Sequence, residues 1–121
     1  MIKIKVFTVN PFQENTYLVY DETKECVIID CGCLSEKEKE VLKNFITEHE
    51  LSPQRLLNTH LHIDHILGNR FIFNEYELEP EAHAEDEFLV EQMKWQADMF
   101  QIPMVDEPMP LGGYLEEGDT V

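Results

Sequence analysis

Seven residues near the middle of the chain, Thr59-His60-Leu61-His62-Ile63-Asp64-His65, bring together three imidazoles and a carboxylate. Imidazole nitrogen and carboxylate oxygen are the donors that zinc takes from proteins, and that iron and manganese also accept. The expected chemistry is therefore that of a metal site. On a regular strand His60, His62 and Asp64 would share one face and His65 would point away. On a helix His60 and His62 would diverge by about 200°. A loop can converge all four.

The flanking residues supply such a loop. Arg55-Leu56-Leu57-Asn58 is a short apolar run bounded upstream by Ser52-Pro53, which suits a buried strand, and a helical pattern begins at Ile66. The candidate ligands then lie at a strand-to-helix loop, where open sheets place functional groups. Upstream, Ile2–Val6, Thr16–Tyr20 and Cys26–Ile29 read as strands. Ser35 and Glu38 form a capping box that opens a helix whose buried face would be Val41, Leu42, Phe45 and Ile46. The expected order is β-β-β-α-β-α, then a short strand and a helix from about Glu85 to Phe100, whose stripe of Leu89, Met93, Ala97 and Phe100 reads as core. Gly68 is expected to permit a close backbone approach, because glycine inside a helix otherwise costs about 1 kcal/mol. Pro103, Pro108, Pro110 and Gly112-Gly113 read as an irregular passage.

His60-Leu61-His62-Ile63-Asp64-His65 matches the HxHxDH signature of the metallo-β-lactamase fold superfamily, and other segments agree in order. Asn10–Val19 resembles the first hairpin of small glyoxalase II-like hydrolases, Val27–Gly32 their strand end, and Leu115–Asp119 their Leu-x-Glu-Gly-Asp turn. The resemblance implies an α/β (α+β) fold, the N-terminal half of an αββα four-layer sandwich, with a mixed sheet and flanking helices. It also implies up to two zinc ions in the intact domain, with iron or manganese as alternatives. His60 and His62 would hold the first ion, and Asp64 and His65 the second. Asp64 would also hydrogen-bond the nucleophilic water, and Asp30 would support the loop from behind. The implied reaction is hydrolysis of a small-molecule thioester or ester by metal-activated water. A mononuclear iron dioxygenase acting on persulfides is the alternative within the same fold, and a non-enzymatic binding or assembly half-domain is the alternative outside enzymology.

Length bounds this reading. The chain has 121 residues, enough for one domain, whereas relatives of this type need roughly 200. The motif supplies two donors per ion where zinc sites use three or four. The expectation is a single partial domain over residues 1–121, inactive alone, whose uncovered inner sheet face promotes self-association. With 9 Lys and Arg against 25 Asp and Glu, the formal charge is −16. That argues against nucleic acid and anionic membrane as partners, both of which need positive surface. No segment has the length and apolarity of a signal peptide or membrane span. Cys26, Cys31 and Cys33 form no even framework, and Cys31 and Cys33 are too close for an unstrained disulfide, which points to a reducing, cytoplasmic setting. His49 and His83 read as ordinary histidines, not ligands.

Overall fold

The computed structural model describes residues 2–10, 13–59, 63–82, 99 and 111–115. Six strands form one mixed sheet in chain order: β1 (Lys3–Val9), β2 (Glu14–Tyr20), β3 (Glu25–Ile29), β4 (Ser52–Leu57), β5 (Pro80–Ala82) and β6 (Gly113–Tyr114). The first three pair antiparallel, and β3 through β6 run parallel. Helix α1 (Glu36–Glu48) connects β3 to β4, while α2 (Ile63–Ile66) and α3 (Asn69–Tyr76) connect β4 to β5.

Alternation along the strands sorts the side chains into two faces. Phe7, Leu18, Cys26, Ile28 and Leu56 are buried on one face, where Leu42 and Ile46 of α1 and Ile72 of α3 join the same core. The opposite face carries the cross-strand row Ile4, Val19, Val27 and Arg55, and beside it Val6, Tyr17, Ile29 and Leu57. Ile4 is 63% exposed and Val6 45%. Helices thus cover one side of the sheet, and apolar side chains reach solvent on the other. Arg55 holds Glu81 there through two hydrogen bonds, of 2.7 and 3.1 Å.

Helix α1 begins as its sequence requires. The Ser35 hydroxyl accepts from the Glu38 amide at 3.1 Å, and the Glu38 carboxylate accepts from the amides of Leu34, Ser35 and Asn10. The capping box therefore also fastens the β1–β2 turn to the helix. The buried face differs from expectation by one residue: Val41 is 49% exposed and Lys39 is buried in its place. Lys39, Leu42 and Ile46 follow the i, i+3, i+7 stripe, and Lys39 lays its aliphatic stem inward. Its ammonium lies 3.6 Å from Glu36 and 5.9 Å from the centroid of the Phe71 ring. His49 is an exposed residue at the end of α1, stacked on Phe45 at 4.0 Å, in keeping with its reading as an ordinary histidine.

Three boundaries differ from the sequence reading. Strand β4 starts at Ser52 and includes Pro53, because the register slips between Cys26 and Val27 and a bulge tolerates the missing amide. The helical pattern expected from Ile66 starts at Ile63 and breaks at Leu67-Gly68. Gly113, assigned to an irregular passage, belongs to β6. The expected helix over residues 85–100 lies outside the described residues except for Met99.

Gly68 makes the close approach its position suggested. Its amide donates to the Cys31 carbonyl at 2.8 Å, and a Cβ there would lie 2.5 Å from the Cys31 sulfur and 2.9 Å from that carbonyl oxygen. Cys26, Cys31 and Cys33 are free and buried. Burial pushes the Cys26 thiol up to about 12. A hydrogen bond with Cys31 followed by burial pushes Cys33 up as well. Among the described residues no helix is long and apolar enough to cross a membrane.

Gly68→Ala is expected to destabilise the fold by about 1–3 kcal/mol through overpacking, read as a lower urea midpoint. Gly113→Ala, whose added carbon would come no nearer than 3.1 Å to the Glu81 side chain, should lose less. A thiol whose pKa is raised stays protonated and unreactive at pH 8. Titration with a chromogenic disulfide should find none of the three thiols in the native protein, because all three are buried, and all three after denaturation.

Candidate metal centre

Three segments converge at one edge of the sheet. Glu14 opens β2, Asp30 follows the end of β3, and Thr59 lies just beyond β4. Because β2 runs antiparallel to β3, and β3 parallel to β4, the start of one strand and the ends of two meet there. His65, in α2, completes the group.

Asp30 is the centre of the arrangement. Its φ of 55° is left-handed, a conformation aspartate tolerates better than most residues. Its amide donates to the Leu57 carbonyl at 2.8 Å, and its own carbonyl accepts from the Thr16 hydroxyl at 2.9 Å. One carboxylate oxygen, Oδ1, accepts from the Thr59 amide at 2.7 Å, and Oδ2 accepts from the Thr59 hydroxyl. Asp30 Oδ2 also lies 3.2 Å from His65 Nδ1. A buried carboxylate is tolerable only with such compensation, since removing an ion from water costs several kcal/mol.

Glu14 approaches the same ring nitrogen, with Oε1 3.4 Å from His65 Nδ1 and a side chain only 2% exposed. Its second oxygen lies 3.2 Å from the Thr16 hydroxyl, whose one proton it shares with the Asp30 carbonyl. Glu14, Asp30 and His65 each offer a donor atom within 4.8 Å of the other two. A cleft of about 360 Å³ opens over them, with Gln13, Asn15, Tyr17 and Thr59 on its walls.

The α2 segment is pinned independently of the ring. Two buried asparagines form a chain in which Asn69 Nδ2 donates to Asn58 Oδ1 at 3.0 Å, and Asn58 Nδ2 donates to the His65 carbonyl at 3.0 Å. With the Gly68–Cys31 contact, these bonds hold the C-terminal end of the turn that carries His65.

Oxygen and imidazole donors suit zinc, iron or manganese and not a soft thiolate-seeking ion, so the donor set fits a divalent metal. His65 Nδ1 is buried, whereas its side chain is 24% exposed, so the exposure belongs to the rest of the ring. Carboxylate oxygens stand 3.2 and 3.4 Å from Nδ1, at ion-pair distance, so Nε2 is the ring nitrogen left to face a metal, as in carboxylate–histidine–metal triads. Among the residues expected from sequence, Asp30 and His65 are brought together. Asp64 lies within α2, and His60 and His62 lie outside the described residues. Glu14 was missed. Its signal was a polar residue at an inward position of β2, in phase with the buried Thr16 and Leu18.

The sequence profile of the Metallo-beta-lactamase superfamily matches residues 9–118. The chain belongs to this superfamily. It is 32% identical over 121 residues to the hydroxyacylglutathione hydrolase GloC of Haemophilus influenzae, covering 99% of this chain and 55% of that protein. Among solved structures it resembles TTHA1623 in a di-iron-bound form, at 32% identity and a TM-score of 0.78, covering 97% of this chain and 56% of that one. The fold also matches the BLEG-1 B3 metallo-beta-lactamase, with a TM-score of 0.79 at 22% identity over 95% of this chain and 54% of that one. The chain thus spans about half the length of the relatives it matches. The expected mixed sheet with flanking helices is the fold found.

Asp30→Ala would leave the Thr59 amide and hydroxyl without their acceptor. Thr59 is exposed and its donors can turn to water, so a loss of about 0.5–1.5 kcal/mol per hydrogen bond is expected, measured by urea unfolding of the metal-free protein. Asp30→Asn, which keeps one acceptor for the Thr59 amide, should recover part of it.

Proposed function

We propose that this chain carries the metal-binding motif of a hydrolase acting on a small thioester or ester, of the hydroxyacylglutathione type. The observation that carries this reading is that one buried carboxylate, Asp30, contacts both the residue that enters the His60–His65 motif and the residue that ends it. A carboxylate so placed would orient a ligating imidazole. The 32% identity to a hydroxyacylglutathione hydrolase supports the substrate class.

In this reading His60 and His62 hold one ion, and Asp64 and His65 hold the second. Further donors must then come from outside the motif, because zinc sites use three or four ligands. When bound, the ions lower the pKa of a water and polarise the acyl carbonyl. Asp64 would orient the nucleophilic water. Asp30 holds the loop through Thr59 and stands against Nδ1 of the His65 ring, which leaves Nε2 as the nitrogen that would bind the ion. The Asn58–Asn69 pair fixes the backbone of α2 so that the ring does not have to hold the turn by itself.

Zinc is the ion proposed, and the di-iron form of TTHA1623 makes iron the specific alternative. Iron would also suit the persulfide dioxygenase reading, which oxygen consumption separates from hydrolysis. The acidic charge of −16 supports a small-molecule substrate over nucleic acid or membrane, and three free buried cysteines suit a reducing cytoplasm. Residues 1–121 by themselves are read as a partial, inactive domain that self-associates through the face bearing Ile4 and Val6.

The test is metal analysis and assay of the whole gene product. Two divalent ions per chain are expected, with hydrolysis of a glutathione thioester abolished by a chelator and restored by zinc. His62→Ala should lower turnover at least 100-fold, an order-of-magnitude expectation for losing metal-based activation. Thioester hydrolysis that survives complete metal removal would overturn the proposal, and oxygen uptake with a persulfide by the iron form would replace it.

A further inference from the structure

We infer that Glu14 is a positioning residue for the metal centre: a second buried carboxylate that, with Asp30, holds the His65 imidazole from its Nδ1 side. The inference rests on the reading of His65 as a metal ligand and adds to it a residue from a different strand.

Three observations carry it. The first is geometric: Glu14 Oε1 and Asp30 Oδ2 stand 3.4 and 3.2 Å from the same ring nitrogen. One carboxylate can fix the direction of an N–H but leaves the ring free to tilt about it. Two carboxylates against the same nitrogen restrict its movement more than one does. The second is burial. A glutamate is rarely enclosed unless it is held, and this one is buried in the first residue of β2. The third is connection. Glu14 Oε2 meets the Thr16 hydroxyl, which accepts from the Gly32 amide at 3.1 Å and reaches the Asp30 carbonyl. Glu14 and Asp30 are therefore linked through Thr16 as well as through His65, and movement of one displaces the other.

The register explains why β2 supplies this group. Tyr17 pairs with Ile29, so Glu14 lies three residues before that pair, beyond the end of β3 where Asp30 turns away. The preceding residue, Gln13, has a φ of 56°, and its amide bonds the Asn10 carbonyl at 3.1 Å. The hairpin turn thereby sets the residue at which β2 enters the sheet. A one-residue slip would send Glu14 to the other face.

Such a residue acts on metal affinity and ligand orientation without touching substrate. Outer carboxylates of this kind are typically worth about 10–100-fold in metal affinity. The experiment compares wild type, Glu14→Gln, Glu14→Asp and His65→Ala in the whole gene product, by zinc competition against a chromogenic chelator, thermal unfolding of the metal-free proteins, and nitrogen–proton NMR of the zinc-loaded imidazoles. The expected result is that Glu14→Gln weakens zinc binding by about 10-fold or more and shifts the His65 Nδ1–H resonance. Glu14→Asp should recover part of the affinity, and metal-free unfolding should move little. His65→Ala should lose one zinc per chain. Unchanged affinity and an unmoved resonance in Glu14→Gln, alongside zinc loss in His65→Ala, would overturn the role of Glu14 and leave His65 as a ligand. Full zinc retention in His65→Ala would overturn both. If Glu14→Gln fails to fold, the affinity and resonance of Glu14→Asp decide the same question.

Discussion

A carboxylate taken out of water at the end of β3 governs this structure. Asp30 costs several kcal/mol to bury if uncompensated, and its surroundings are organised to meet that cost. The Thr59 amide and hydroxyl satisfy its two oxygens, and His65 stands against one of them. The same residue joins β3 to β4 through its amide, and β2 to both through its carbonyl. Loop, strands and candidate ligand are thus held by one residue, and each attachment constrains the others.

That convergence follows from strand direction. Parallel β3 and β4 end at the same edge, so the segments that follow them, from Asp30 and from Thr59, begin side by side. Antiparallel pairing turns the start of β2 to that edge and places Glu14 opposite them. A wholly parallel sheet would bring a strand end to that place instead, and a wholly antiparallel one would send Thr59 to the far side. The crossover helix α1 makes the parallel step possible, and its Glu38 also fastens the turn that leads into β2. Open sheets place functional groups outside the carboxyl ends of their strands, and here the helix cap and the site share a neighbour for that reason.

What the sequence made legible was local. The capping box, the strand periodicity and the glycine beside Cys31 each depend on a few neighbouring residues and emerged as expected. Lys39 was hidden because its charge outweighed its aliphatic stem in a reading by residue type, although it occupies the inward phase of α1. Pro53 and Gly113 were read as breakers, yet a register slip and a close sheet edge accommodate them. Asp30 was visible only through family resemblance, and Glu14 only as a polar residue in the inward phase of β2. The partner of Glu14 lies 51 residues away in the chain, and neither periodicity nor spacing reports a contact set by the register of three strands. Of the four motif residues, His65 alone has a described side chain, so the supporting network and not the ligand set is what the structure adds.

That network also bears on charge. Two carboxylates within 3.4 Å of one ring nitrogen concentrate negative charge in a part of the protein where water screens little. Lys39 is engaged with Glu36, Lys43 with Glu75 and Arg55 with Glu81, all through ion pairs away from this cluster. In a chain where acidic side chains outnumber basic ones by 25 to 9, lysine and arginine are scarce. A divalent cation supplies the opposing charge compactly, and an imidazole with carboxylates behind one nitrogen and exposure on the remainder of the ring is suited to transmit it. In the proposed reading, the excess acidity of this end of the sheet and the motif's ligand chemistry are two aspects of one arrangement: the carboxylates would make His65 a better ligand, and the ion would make their burial tolerable.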